Sequence, residues 1–138
     1  AEQVKDILNS IGVKCYIFDL PFYQGRNACL HLMSLISMVD TKSALVFKPL
    51  LPVGLWKLLI KKNINIISAP EPEFYQSDTL STNVLALAPG ECLMLNNLPE
   101  TEKVLRSAKL KVTTFQAPSL CIGCEGGPTC LTRPISRI

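Results

Sequence analysis

Apolar residues recur along the chain with two alternating periods. Val4, Ile7, Leu8 and Ile11 fall at i, i+3, i+4 and i+7, the spacing of one helical face. After Gly12 comes a short run rich in β-branched and aromatic residues, Val13 to Leu20, which predicts a strand followed by Pro21. The same grammar returns twice. Residues 55–63 predict a helix, 64–69 a strand, and Pro70 follows. Residues 101–109 predict a helix with Pro99 near its start, 110–117 a strand, and Pro118 follows. Gly12 and Asn63 suit the left-handed position that ends a helix.

The three prolines stand about 48 residues apart, so the pattern is a repeat and not one isolated motif. After each proline a loop leads to another strand-like run, at residues 30–39, 82–88 and 130–138. The first two runs are each followed by a partner strand, at 43–47 and 91–95. Asp40-Thr41-Lys42 and Pro89-Gly90 are the hairpin turns between them. The repeating unit is therefore ββαβ, and the fold class is α/β. The chain opens at a helix and closes on a first strand, so it holds about two to three such units, with open edges. A small α/β sandwich with coincidental spacing is the competing expectation.

Composition agrees with a packed chain. Of 138 residues, 48% are apolar and 18% charged, which excludes a disordered segment and suits a single domain over residues 1–138. No apolar run approaches the roughly 20 residues that span a bilayer, so no membrane partner is expected. Glu2, Lys5 and Asp6 interrupt the first residues, which do not read as a secretion signal. A cytoplasmic location follows as the expectation, with its thiols reduced. The net charge is only +3. Its basic residues, such as Lys57, Lys61, Lys62, Lys103, Arg106, Lys109 and Lys111, read as solvated helix faces and ends without interleaved aromatics, so no nucleic-acid partner is expected.

Six cysteines and one histidine carry the candidate chemistry. His31 lies ten residues after Pro21, and Cys130 twelve after Pro118; Asn83 lies thirteen after Pro70. The repeat thus predicts His31, Asn83 and Cys130 at matching strand starts, where units arranged about an axis converge. A thiolate beside an imidazole is a nucleophile with its proton partner. Gly126 and Gly127, in the stretch from Glu125 to Cys130, let backbone approach a substrate closely. Packing roles compete at both residues: a strand histidine and one more buried thiol. Cys15 and Cys92 sit in apolar runs and read as small hydrophobes. Cys121-Ile122-Gly123-Cys124 has C-x-x-C spacing, open to a redox dithiol, to two loop thiols, or to a Cys3His zinc site with Cys130 and His31.

The segment from Leu30-His31-Leu32-Met33-Ser34 to Val39-Asp40 resembles the histidine strand of the guanidine-modifying, or pentein, superfamily. Gly126-Gly127-Pro128-Thr129-Cys130-Leu131 resembles its C-terminal cysteine motif, and Asn83 to Leu87, Pro89-Gly90 and the segment from Pro99 to Phe115 keep the expected order. The resemblance runs from about Val4 onward, with dimethylarginine dimethylaminohydrolases as the nearer branch and arginine deiminases and amidinotransferases further off. It implies a five-bladed α/β propeller of ββαβ units, of which this chain is the C-terminal portion, with the N-terminal blades absent. It implies that Cys130 attacks a guanidinium carbon of a small guanidino substrate, that His31 protonates the departing amine and then activates water, and that no metal or organic cofactor takes part. Deiminases and amidinotransferases carry an acidic residue two positions after the histidine; here it is Met33, which favours the dimethylaminohydrolase branch. The family's substrate-binding carboxylates belong to earlier blades. The expected partner is therefore the missing N-terminal part or a second copy, and the chain alone is expected to be inactive or nearly so. The alternative is a non-catalytic pentein-fold fragment serving as a binding or assembly module.

Overall fold

A computed structural model describes residues 1–25, 30–124 and 126–136. Two ββαβ units follow one another. In the first, strand β1 (Ile36–Asp40) pairs antiparallel with β2 (Ser43–Val46); helix α2 (Val53–Lys61) then crosses to β3 (Asn65–Ser68), which runs parallel to β2. In the second, β4 (Leu85–Ala88) and β5 (Glu91–Leu95) form the hairpin, and α4 (Pro99–Ser107) leads to β6 (Lys111–Phe115), parallel to β5. Each unit makes one three-stranded sheet, in the order β1-β2-β3 and β4-β5-β6. Helix α1 (Glu2–Ser10) precedes them, and a short α3 (Glu71–Gln76) links them.

The repetition extends to backbone detail. Both hairpins turn over two residues and carry a register shift at the same place, between Met38 and Asp40 and between Ala86 and Ala88. The three long helices end alike, with Gly12, Asn63 and Lys109 at positive φ. In each, the next residue's N–H returns to a carbonyl one turn back: Val13 to Leu8 (2.9 Å), Ile64 to Leu59 (3.0 Å) and Leu110 to Leu105 (3.2 Å). This is the Schellman arrangement, which satisfies carbonyls the helix end would otherwise leave unpaired.

Strand β2 is buried on both faces. Ala44 and Val46 pack with Leu55 and Leu59 of α2, while Leu45 and Phe47 face the main core with Leu35, Val39 and Phe74. That core also takes in Val84, Cys92, Met94, Leu105 and Val112, so the two sheets share it. Buried polar bonds stitch the units together. The Ser37 hydroxyl donates to the Thr82 carbonyl (2.6 Å) and accepts from the Val84 N–H (3.3 Å). The Thr82 hydroxyl donates to the Ser34 carbonyl (2.6 Å).

Several expectations are corrected. Residues 13–20 form no strand: in the other units this strand pairs with the hairpin strand before the helix, and no described strand precedes α1. The apolar face of α1 is correspondingly bare, with Val4 57%, Ile7 65% and Ile11 70% exposed. The run at 30–39 divides into a 3-10 turn, Leu32–Ser34, and a shorter strand, and the run at 82–88 begins at the last residue of a second such turn, Leu80–Thr82, ahead of its shorter strand. Ser34 and Thr82 end these turns, and such hydroxyl side chains compete with ladder bonding. The run at 130–138 is not a strand over its described residues, 130–136; Pro134 cannot donate to a ladder, and residues 137–138 lie outside the described set. Helix α3 was hidden by its prolines, which suit the first turn of a helix: Pro70 is its N-cap and Pro72 stands inside the first turn.

Candidate active site

Cys130 is exposed at the end of a tight turn. Its N–H donates to the Gly127 carbonyl (3.0 Å), and the Gly126 N–H donates to the Cys121 carbonyl (2.9 Å), tying the turn to the π-helical turn Pro118–Ile122. Beneath it lies Asn83, only 6% exposed. The Asn83 Oδ1 accepts from the Thr129 backbone N–H (3.0 Å) and from the Thr129 hydroxyl (2.7 Å), and its Nδ2 donates to the Cys130 Sγ (3.4 Å). A Cβ at position 127 would overlap the Asn83 side chain, so this close approach requires a glycine there. Glu125, in the same stretch, lies outside the described residues.

His31 is also exposed, and it stands at the N-cap of the turn Leu32–Ser34. Its N–H donates to the Ser34 hydroxyl (3.3 Å), and its carbonyl accepts from the Ser34 N–H (2.9 Å). The Ser34 carbonyl in turn holds the hydroxyl of Thr82, the residue before Asn83. The turns bearing His31 and Cys130 are thus both fastened to the segment Thr82-Asn83. Among the described residues no hydrogen bond joins His31 to Cys130 directly.

The turns themselves are equivalent, and they correct the expected correspondence. The N–H of Ser34, Thr82 and Cys130 each returns three residues, to His31 (2.9 Å), Thr79 (3.4 Å) and Gly127 (3.0 Å). Positions 34, 82 and 130 stand 48 residues apart in each case. Cys130 therefore matches Thr82 and Ser34, whereas His31 matches Thr79 and Gly127. The pair does not occupy one repeated position, and Asn83 follows the residue equivalent to Cys130. Counted from the prolines, Thr82 and Cys130 both lie twelve residues on and Ser34 thirteen, whereas His31 lies only ten, so the prolines themselves align Cys130 with Thr82 and not with His31 or Asn83.

The thiols differ sharply in environment. Cys121 is fully buried, and its thiol is pushed up by that burial and then by the neighbouring Cys130 and Cys124. Cys92 is pushed up to about 11, by burial first and by the Asp40 carboxylate second. Both are poor nucleophiles at neutral pH. Cys124 and Cys130 are exposed, Cys15 is half-buried, and Cys29 lies outside the described residues. The Cys3His zinc arrangement is not formed: among the described residues no three His, Cys, Asp or Glu side chains come together as metal ligands. A groove of about 170 Å³ between β4 and the C-terminal segment is lined by Leu85, Leu87, Thr132 and Arg133 and includes neither His31 nor Cys130. Thr129 and the contact role of Asn83 escaped the sequence reading, because nothing in the spacing brings residue 83 to residue 129. No helix among the described residues is long and apolar enough to cross a membrane.

Comparison with known proteins supplies the family. The arginine deiminase family model matches residues 52–137. An arginine deiminase from Listeria monocytogenes is 42% identical over 55 residues, covering 40% of this chain and 13% of that protein. Among solved structures, the fold is similar to SxtG, an amidinotransferase of the saxitoxin biosynthetic pathway from Microseira wollei (TM-score 0.80, 21% identity, 99% of this chain and 40% of the other). It is similar to a mutant dimethylarginine dimethylaminohydrolase from Pseudomonas aeruginosa complexed with citrulline (TM-score 0.69, 20% identity, 94% and 44%). It is also similar to the product-bound N-terminal domain of ArgZ, a cyanobacterial arginine dihydrolase (TM-score 0.73, 15% identity, 99% and 47%). The chain thus spans less than half the length of each of these relatives. The sequence match falls on arginine deiminase. With its ββαβ repeats and this match over more than half its length, the chain belongs to the arginine deiminase family of the pentein superfamily.

Proposed function

We propose that this chain is the C-terminal portion of a propeller-type hydrolase acting on a guanidino group, to which it contributes Cys130 as nucleophile and His31 as acid and base. The observation that carries the reading is the setting of Cys130: an exposed thiol on a glycine turn, held from below by a buried amide, within the segment matched to the family. The Cys130 sulfur adds to the guanidinium carbon, and the C–N bond to the leaving amine breaks as His31 gives that nitrogen a proton. The covalent amidino-thioether that remains is attacked by water, from which His31 takes a proton. The C–S bond then breaks, releasing the ureido product and the thiolate.

The carboxylates that hold a guanidinium in place are supplied by another part, either the upstream segment of the same polypeptide or a second copy. The bare face of α1 and the unpaired residues 13–20 support such a partner. A haloacetamidine probe should label Cys130 much faster than the other five thiols once that part is supplied. Cys130→Ser should abolish formation of citrulline from arginine or dimethylarginine, while Cys121→Ser leaves it largely intact. Equal labelling of all thiols and no citrulline would instead support a non-catalytic binding or assembly module, the reading favoured by the absence of a direct His31–Cys130 hydrogen bond.

A further inference from the structure

Asn83 is an unusual residue to find at this place. It is a buried carboxamide with both ends engaged, and both partners lie on the turn of Cys130. The orientation of its amide follows from chemistry alone. The Thr129 backbone N–H can only donate, so the Asn83 atom facing it at 3.0 Å must be the oxygen. The NH2 group is thereby aimed at the Cys130 Sγ, 3.4 Å away. The Thr129 hydroxyl, at 2.7 Å from the same oxygen, locks the amide further. Gly127 leaves room for the carboxamide that no other residue would leave.

We infer that Asn83 is a positioning residue for Cys130: its amide N–H fixes the direction of Sγ and stabilises the sulfur in its anionic form. This inference rests on the proposed nucleophilic role of Cys130. A hydrogen bond donated to the charged form of a group favours that form. The anion is needed twice, when sulfur attacks carbon and when it departs from the acyl-like carbon in the second half of the reaction. The donor sits below the sulfur and leaves its outer face, the exposed one, open to substrate. At the equivalent turn of the preceding repeat, the Thr82 hydroxyl stands within hydrogen-bond distance of two backbone carbonyls, those of Ser34 (2.6 Å) and Thr79 (2.9 Å), and its one proton is donated to one of them at a time.

Labelling of Cys130 by 2-chloroacetamidine across pH, read by peptide mass spectrometry in the full protein, tests this. Asn83→Asp keeps the acceptors for Thr129 and removes the donor to sulfur. It should move the labelling profile to higher pH and slow labelling at pH 7 by about tenfold or more, through loss of one charge-assisted hydrogen bond and repulsion of the thiolate by the new carboxylate. Asn83→Ala removes the donor without adding a charge, and should shift the profile the same way by about threefold. Labelling of Cys124 should stay unchanged in both variants. If Asn83→Asp does not fold, Asn83→Ala decides. A Cys130 profile unmoved in folded Asn83→Asp, or in Asn83→Ala when the former does not fold, overturns the inference. A wild-type Cys130 that labels no faster than Cys124 overturns the nucleophile reading instead, and the effect of Asn83 on the Cys130 profile is still measured.

Discussion

The carboxylate of Glu73 caps a helix that begins 26 residues later in the chain: it accepts the N–H (2.8 Å) and the hydroxyl (2.7 Å) of Thr101 on one oxygen and the N–H of Glu100 (2.7 Å) on the other. Helix α4 has Leu98 at its N-cap, with no side chain of its own to do this. The carboxylate is buried and sits at the positive end of the helix, where a negative charge is favoured. Because α3 supplies the cap and α4 carries the crossover to β6, Glu73 locks the linker between units to the unit that bears Asn83.

Glu73→Ala should therefore destabilise the chain by about 3 kcal/mol, since the buried N–H and hydroxyl of Thr101 and the part-buried N–H of Glu100 lose their acceptor. Glu73→Gln retains one acceptor and should cost less, about 1–2 kcal/mol. Denaturant unfolding with an unchanged m-value checks both; an Ala variant as stable as the parent would mean that water replaces the cap at no cost.

Alkaline pH should weaken the fold in a defined window. The Cys92 thiol is raised from 9.0 to about 11 in the native state, by burial and then by Asp40. Between those values the unfolded chain releases its proton while the native one retains it, so stability falls as pH rises, by up to roughly 1.4 kcal/mol per pH unit. Cys121, shifted in the same direction, adds to the slope. Below pH 9 the contribution is complete. Urea midpoints measured from pH 8 to 11 should fall, and Cys92→Ala should flatten the decline even though it lowers stability at pH 8 by leaving a small cavity.

The helix ends offer a gain. Lys109 holds φ at 65° where a side chain is strained, in the role Gly12 plays after α1. Lys109→Gly should stabilise the chain by about 0.5–1 kcal/mol, because relief of the strain outweighs the extra freedom of the unfolded glycine. Gly12→Ala should cost about 1 kcal/mol by the reverse argument. Thermal melts of the two variants, shifting in opposite directions, check the pair; parallel shifts would contradict it.

The amino-acid sequence by itself determined the repeat, because helical spacing, left-handed helix ends and turn dipeptides are local: α2, α4, β5 and both hairpins follow from residues within a few positions of one another. It also carried the family, through short motifs around His31 and Cys130. Strand formation after α1 was not determined locally, since a strand exists only when another accepts its backbone bonds, and residues 13–20 have no such partner among the described residues. Helix α3 depended on whether Pro70 and Pro72 would start a helix or continue a loop, which Phe74 settled by packing against Phe47. The setting of Cys130 was decided only by tertiary structure. Its amide partner stands 47 residues away, and only the packing of one unit on the next brings Asn83 beneath Thr129 and the sulfur.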